Sequence, residues 1–304
     1  MSRKVLLDVD PGCDDAVAIG LALASDELDV VGLTTVAGNT TVENATENAL
    51  AVLTLFDRTD VPVAAGCGRP LAHELETAED IHGEGGITGD LPDPEAEPLG
   101  TDAPAFIREQ AAEHGEALTI VGLGPLTNVA VALMAEPDLA ERVDEVAVMG
   151  GTIRATGNRT PMAEANFYSD PAAARRVVWD AEPRIAGLNV THHAEVPPGV
   201  VEGDSAAADT VRAWLDYYPE WVRESIGLEN AAQHDALVVA DLIADLLDYE
   251  TAPTDVFVDD GDARGAVMFD EYGVTDADGV ASVAVDADVE RFRELLGERL
   301  SRLV

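Results

Sequence analysis

Apolar runs of strand length alternate with helix-like patterns through the first two thirds of the chain. The runs are VLLDV (5–9), VVGLTTV (30–36), VPVAA (61–65), LTIVGL (118–123), VAVMG (146–150) and RIAGLNV (184–190). Their hydrophobicity is continuous rather than alternating, which marks strands buried on both faces. Between them Asp14–Ala24, Thr41–Phe56, Ala103–His114, Leu126–Ala135 and Pro171–Trp179 carry apolar residues at helical spacing, most of them opening on Asp, Thr or Pro. This alternation predicts an α/β protein with an open, doubly wound, mostly parallel sheet. The last third differs. Helices are expected around Ser205–Ile226 and Asp235–Leu247. The short segments VFVDD, GAVMFD and ASVAVDAD then read as antiparallel edge strands before a closing helix, Val289–Leu300.

No Pro/Gly/Ser-rich linker interrupts the alternation and no repeat of roughly 20 to 50 residues is visible, so residues 1–304 are read as one domain. A chain of 304 residues, 47% of them hydrophobic, can bury a full core, which excludes disorder and fibre. Fifty-nine acidic against eighteen basic residues give a net charge of −41. That balance excludes nucleic acid and an anionic membrane surface as partners. The acids are spread along the chain, and all the basic residues but Lys4 are Arg. Such a surface repels itself in dilute buffer, and the repulsion fades at ~1 M salt, where screening acts within about 3 Å. The composition resembles that of proteins from salt-in halophiles.

Cys13 and Cys67 fit neither a disulfide framework nor a metal spacing, which suits a reducing cytoplasm. The opening MSRKVLLDVDPG is not a signal peptide, and no apolar run reaches ~18 residues. A cytoplasmic protein without a membrane partner is expected.

In an open α/β sheet ligands bind beyond the carboxyl ends of the strands. After the first strand comes Asp8-Val9-Asp10-Pro11-Gly12-Cys13-Asp14-Asp15, in which Pro11 and Gly12 force a turn and four carboxylates converge without a basic neighbour. Like charges that close raise one another's pKa unless a cation offsets them, and oxygen ligands favour Ca²⁺ or Mg²⁺ over zinc. One such aspartate would more often be a helix cap; the cluster favours a metal. Other strand ends carry Asn39, the turn Leu123–Asn128 and Met149-Gly150-Gly151. The Gly122-Leu123-Gly124 sequence lacks the third glycine of a dinucleotide loop, and the turn can expose the Leu123 carbonyl to a hard cation. The loop Gly157–Asn166 brings Asn158, Glu164 and Asn166, a hydrogen-bonding set suited to a polyol. Gln233-His234-Asp235 opens an apolar helix, with a titratable imidazole beside a carboxylate.

Together DVDPGCDDAVAI, LGPLTN, GNRTPMAEAN and HDAL resemble, in this order, the inosine-uridine-preferring nucleoside hydrolase family. The resemblance spans essentially the whole chain. It implies an open Rossmann-like fold and Ca²⁺-dependent hydrolysis of ribonucleosides to base and ribose, with a salvage role. It implies that Asp10, Asp15, Asp235 and the Leu123 carbonyl hold Ca²⁺, and that Asp14, Asn39, Asn158, Glu164 and Asn166 bind the ribose. Met149 matches the apolar neighbour of the sugar, His82 a second active-site histidine, and Tyr218 falls at about the spacing of a base-contacting tyrosine, with Tyr217 and Trp221 as alternatives beside it. Asp10 is expected as general base and His234 as the acid that protonates the leaving base. His73, His114, His192 and His193 match nothing in the family and read as surface or core residues. A homodimer or homotetramer is implied as well.

Two other readings use the same residues. VLLDVDPG also fits a haloacid-dehalogenase-type phosphatase with Asp8 as nucleophile and Mg²⁺ nearby, although Pro11 follows the second Asp and Lys4 is the only lysine. A calcium-dependent ribose-binding protein without turnover would keep the metal and sugar residues and dispense with His234.

Overall fold

The computed structural model describes residues 2–78, 83, 85–217 and 229–304. Among these residues the strands are β1 (Arg3–Val9), β2 (Leu28–Thr35), β3 (Val63–Ala65), β4 (Leu118–Gly122), β5 (Glu145–Met149), β6 (Arg184–Ala186), β7 (Leu247–Val256), β8 (Val267–Phe269) and β9 (Gly279–Ala287). They form one 9-stranded sheet in the order β3-β2-β1-β4-β5-β6-β9-β7-β8. Every pairing from β3 to β9 is parallel, and only β7 runs antiparallel, to β9 on one side and β8 on the other. The chain winds outward from β1 to β3 and then, in the opposite direction, from β4 to β6. The carboxyl ends of β1 and β4 therefore flank the switch point where such sheets open a crevice.

The continuous apolar runs are explained by two covering layers. Val5, Leu7 and Val9 face one layer, containing the helices Cys13–Leu23, Val42–Leu55, Ala206–Asp216, His234–Ala244 and Val289–Leu303. Leu6, Ile120 and Val148 face the other, built from Ala103–His114, Thr127–Ala135 and Pro171–Ala181. Strand residues alternate between the faces, so Asp8 lies on the side of Leu6. Five of the described helices start where a short polar side chain takes an orphan amide. Thr41, Asp102, Asp170, Ser205 and Asp288 accept from the N–H groups of Asn44, Ala105, Ala173, Ala208 and Arg291.

Several expected boundaries move. The run RIAGLNV splits: β6 ends at Ala186 and Leu188–Thr191 forms a helical turn, the amides of Val190 and Thr191 both bonding the Gly187 carbonyl at 3.0 Å. The helix expected over Asp235–Leu247 runs His234–Ala244, stopped by Asp245 at φ +48°, and Leu247 already opens β7. Strand β7 escapes sequence reading because LDYETAPTDV is polar along much of its length. The ASVAVDAD segment is not an edge. It lies in β9, inserted between β6 and β7 and parallel to the former. Of the helix expected over Ser205–Ile226, Ala206–Asp216 is helical and positions 218–226 lie outside the described residues.

Asp170 joins three elements. Its carboxylate caps the helix Pro171–Ala181 through Ala173 N at 3.1 Å and accepts from Leu71 N at 2.8 Å and Thr127 Oγ1 at 2.7 Å. Replacing Asp170 with Ala strands these donors in a buried place, and should destabilise the protein by about 3 kcal/mol, read as a lowered urea midpoint at unchanged m-value.

Candidate active site

The chain leaves β1 into Pro11-Gly12, and the helix Cys13–Leu23 begins at once, its amide dipole aimed back at the turn. Asp15, in the first helical turn, accepts from Asp10 N at 3.2 Å and Gly12 N at 3.0 Å, which folds the turn onto its own carboxylate. Asp10 projects toward the β2 and β4 loops. Its Oδ2 accepts from Asn39 N at 2.7 Å, and the Asn39 side chain donates to the Asp10 carbonyl at 3.2 Å. Two glycines make room for it. A Cβ on Gly124 would lie 2.5 Å from Asp10 Oδ1, and one on Gly38 would strike Oδ2. Asp235 arrives from across the crevice on the first turn of His234–Ala244, a helix that no side chain caps.

Asp14, Asp15 and Asp235 bring carboxylate oxygens within 4.8 Å of one another. Burial is the main force raising these carboxyls. It lifts Asp15 to about 7, with Asp14 as the main charged neighbour. It holds Asp10 well above the usual range, reinforced by Asp15, and Asp235 likewise, reinforced by Asp14, Asp15 and Asp10. Every charge raising these three is another carboxylate. A donor set of crowded oxygens without a basic partner fits a hard divalent cation.

Glu164 forms the opposite wall. Its carboxylate caps the helix Ala165–Ser169, accepting from Asn166 N at 2.7 Å and Phe167 N at 3.1 Å, and takes Gly151 N at 2.9 Å. The last bond depends on Gly150 and Gly151 after β5. Gly151 stands at φ +66°, and a Cβ on Gly150 would lie 2.5 Å from the Phe167 ring. Burial outweighs these amides and lifts Glu164 to about 7. Asn166 donates to the Leu123 carbonyl at 2.7 Å and lies 3.7 Å from the buried Met149 sulfur. The exposed Asn158 accepts from Ala165 N at 2.9 Å, which fixes it on the same loop.

His234 is 5% exposed, its Nδ1 2.8 Å from Thr191 Oγ1 and its ring edge-on to His192 at 5.6 Å between centroids. Sequence reading missed both neighbours: His192 is packed on the expected acid rather than spare, and Thr191 closes the helical turn Leu188–Thr191 that the run 184–190 conceals. Missed too were Asn128, which donates to Asp8 Oδ1 at 2.7 Å, and Asn48, which donates to the carbonyls of Pro11 at 3.2 Å and Gly85 at 2.9 Å. Asp8 itself is wholly enclosed on the far face, holding Thr34 Oγ1 at 2.6 Å, and burial lifts it to about 7. No substrate can reach it as a phosphatase nucleophile must be reached. His82 and Tyr218 lie outside the described residues.

Comparison with known proteins agrees along the whole chain. The profile of the inosine-uridine preferring nucleoside hydrolases matches residues 5–294. Pyrimidine-specific ribonucleoside hydrolases RihA from Shigella boydii and Escherichia coli are each 40% identical over 99% of this chain and 99% of their own. Among solved structures, a plant nucleoside hydrolase superposes with TM-score 0.90 at 34% identity, covering 99% of both chains. A purine-preferring ribonucleoside hydrolase from Gardnerella vaginalis superposes with TM-score 0.92 at 29% identity, again over 99% of both.

The raised carboxyls fix a sign for pH. Asp15 and Glu164 titrate near 7 in the folded chain and near 4 unfolded, so the native state binds more protons between those values. Their contribution to stability is present below about pH 4 and lost as pH rises to about 7. In a chelator, thermal stability should fall over that interval, and Ca²⁺ should raise Tm at pH 8 far more than at pH 4.5. Equal Ca²⁺ effects at both values would contradict a carboxylate-held cation.

Proposed function

The chain belongs to the inosine-uridine preferring nucleoside hydrolase family, and on that footing we propose that it cleaves ribonucleosides at the N-glycosidic bond, with Ca²⁺, in a salvage role. The observation that carries this reading is the carboxylate cluster at the β1–β4 switch point, facing the Asn158–Asn166 loop across the crevice.

N-glycosidic cleavage passes through an oxocarbenium-like state, so a site must hold the sugar, tolerate positive charge, activate water and help the base depart. Asp14, Asn39, Asn158, Glu164 and Asn166 supply acceptors and amides for the ribose hydroxyls, and Met149 supplies an apolar wall. The fixed negative charge of the cluster and of Glu164 stabilises the developing cation. Asp10, Asp15, Asp235 and the Leu123 carbonyl would hold Ca²⁺. Bound there, the ion supplies the charge that makes ribose hydroxyls and water more acidic. Asp10 takes a proton from the attacking water as the water oxygen bonds to C1′. The C1′–N bond breaks, its electron pair leaves with the base, and His234 delivers the proton that the departing nitrogen needs. Thr191 Oγ1, 2.8 Å from Nδ1, orients the ring for that delivery. His82 and Tyr218 would contact the base.

The 40% identity to pyrimidine-specific enzymes makes uridine and cytidine the nucleosides expected to turn over fastest. We place this one-domain chain in the cytoplasm, where its free Cys13 and Cys67 stay reduced. No helix among the described residues is long and apolar enough to cross a membrane. We also expect a homodimer or homotetramer; Phe257, Tyr272 and Val274, exposed around the antiparallel edge, support association.

Ribose release from uridine, cytidine, inosine and adenosine, measured in ~2 M KCl with Ca²⁺ and then with chelator, tests the reaction. Chelator-sensitive release is expected, and its absence in a folded protein would overturn the reading. Replacing His234 with Ala should lower turnover by roughly 10² to 10⁴ while Ca²⁺ binding survives. Asp10→Ala should abolish both. At a net charge of −41, both fold and activity should weaken as KCl is diluted to ~0.1 M; full activity there would refute the halophilic reading.

A further inference from the structure

Apart from Asp14, the sugar-binding residues stand on two separate supports, Asn39 on the loop after β2 and Asn158, Glu164 and Asn166 on the segment after β5, yet a segment outside both joins them. Residues 71–78 run between the two. Leu71 N donates to Asp170 Oδ2 at 2.8 Å at one end, and Ala78 N donates to the Asn39 carbonyl at 2.9 Å at the other. Between these anchors Glu76 bridges two arginines: Oε2 lies 2.6 Å from Arg159 Nη2, and Oε1 lies 3.3 Å from Arg264 Nη1.

Both arginines belong to the sugar-binding side. Arg159 follows Asn158, and its guanidinium lies 5.4 Å from the centre of the Tyr168 ring. Arg264 stacks on the same ring at 4.2 Å and donates through Nε to the Tyr168 carbonyl at 3.0 Å. Its turn is pressed against that backbone, for a Cβ on Gly265 would lie 2.6 Å from Tyr168 Cα. Arg264 is only 8% exposed, so its charge depends on partners. The Arg159 loop is stiff in itself. Arg159 N bonds the Ala163 carbonyl at 3.1 Å and Gly157 N bonds the Pro161 carbonyl at 3.2 Å, so a pull on Arg159 moves Asn158 with it.

We propose that Glu76, with Arg159 and Arg264, is a positioning assembly that fixes the distance between the Asn39 and Asn158–Asn166 halves of the ribose site. The inference rests on the ribonucleoside hydrolase reading and deepens it. The Glu76–Arg159 pair is partly exposed and adds little to stability, and Arg264 keeps the Tyr168 carbonyl and ring when Glu76 is neutralised, so folding is not the main consequence of either pair. A small displacement of groups that grip a substrate, by contrast, is felt directly in binding.

Kinetics with uridine and calorimetric titration with D-ribose, both in high salt with Ca²⁺, test it. Glu76→Gln should raise KM and weaken ribose binding roughly tenfold, with kcat within about threefold and Tm nearly unchanged. Arg159→Ala, at an exposed position, should do the same, and Glu76→Asp, which keeps the carboxylate, should recover most of the loss. A purely structural ion pair would lower Tm and leave KM alone. If the wild-type protein turns over uridine and both variants keep KM and ribose affinity within twofold, the inference fails while the hydrolase reading stands. If the wild type neither releases nor binds ribose, the hydrolase reading fails and takes the inference with it. Ribose binding without turnover, weakened by Glu76→Gln, would sustain the positioning role and overturn only the hydrolase.

Discussion

Buried negative charge at the switch point is the constraint around which this molecule is arranged. Asp8, Asp10, Asp15, Glu164 and Asp235 are all essentially without solvent contact, and Asp14 is half-buried beside them. Taking an isolated carboxylate out of water costs far more than a folded chain has to spare. The group must gain a proton, a set of amide donors or a cation. The protein uses amides for part of the cluster: Asn39 N for Asp10, two turn amides for Asp15 and three amides for Glu164. These bonds orient the carboxylates without cancelling their charge. That is the arrangement a divalent cation and a cationic transition state both require.

Much local detail follows from that constraint. Gly38 and Gly124 keep clear of Asp10, and Gly150 and Gly151 let β5 end against Phe167 while an amide reaches Glu164. Asp8, two residues before Asp10, lies within β1 and faces the layer of Leu6, where Thr34 and Asn128 donate to its Oδ1, whereas Asp10 has already left the strand for the Pro11-Gly12 turn. Two acids of one motif therefore have entirely different access to a ligand.

Away from the centre, a chain with 59 acids and 18 bases uses arginine sparingly and at junctions. Arg184 stacks on Tyr249 at 4.3 Å while pairing with Asp241 and Glu145, and Arg264 stacks on Tyr168 while pairing with Glu76. The planar guanidinium can pack on a ring and donate in its plane at once. It therefore joins elements in a way that lysine's point charge does not.

Periodicity made the parallel strands β1 to β6 and their helices legible because both faces of the sheet are covered, so the apolar runs are unbroken. It failed on β7, whose polar residues reflect a sheet margin, and on 184–190, where Gly187 converts a strand into a helical turn within one apolar run. The strand-end rule and the motifs pointed to Asp10, Asp14, Asp15, Leu123, Glu164 and Asn166 as neighbours, because chain connectivity delivers the residues after each strand to one rim, and the HDAL motif added Asp235 from a helix start. What sequence left open was the third dimension of that rim. That Asp8 turns away, that Thr191 and His192 pack on His234, and that Glu76 reaches two arginines 83 and 188 positions further on depend on side-chain direction and on which loops become neighbours. The charged residues of that rim were fixed by local pattern. Their partners were chosen only by tertiary packing, since contacts between loops distant in sequence leave no period in the chain.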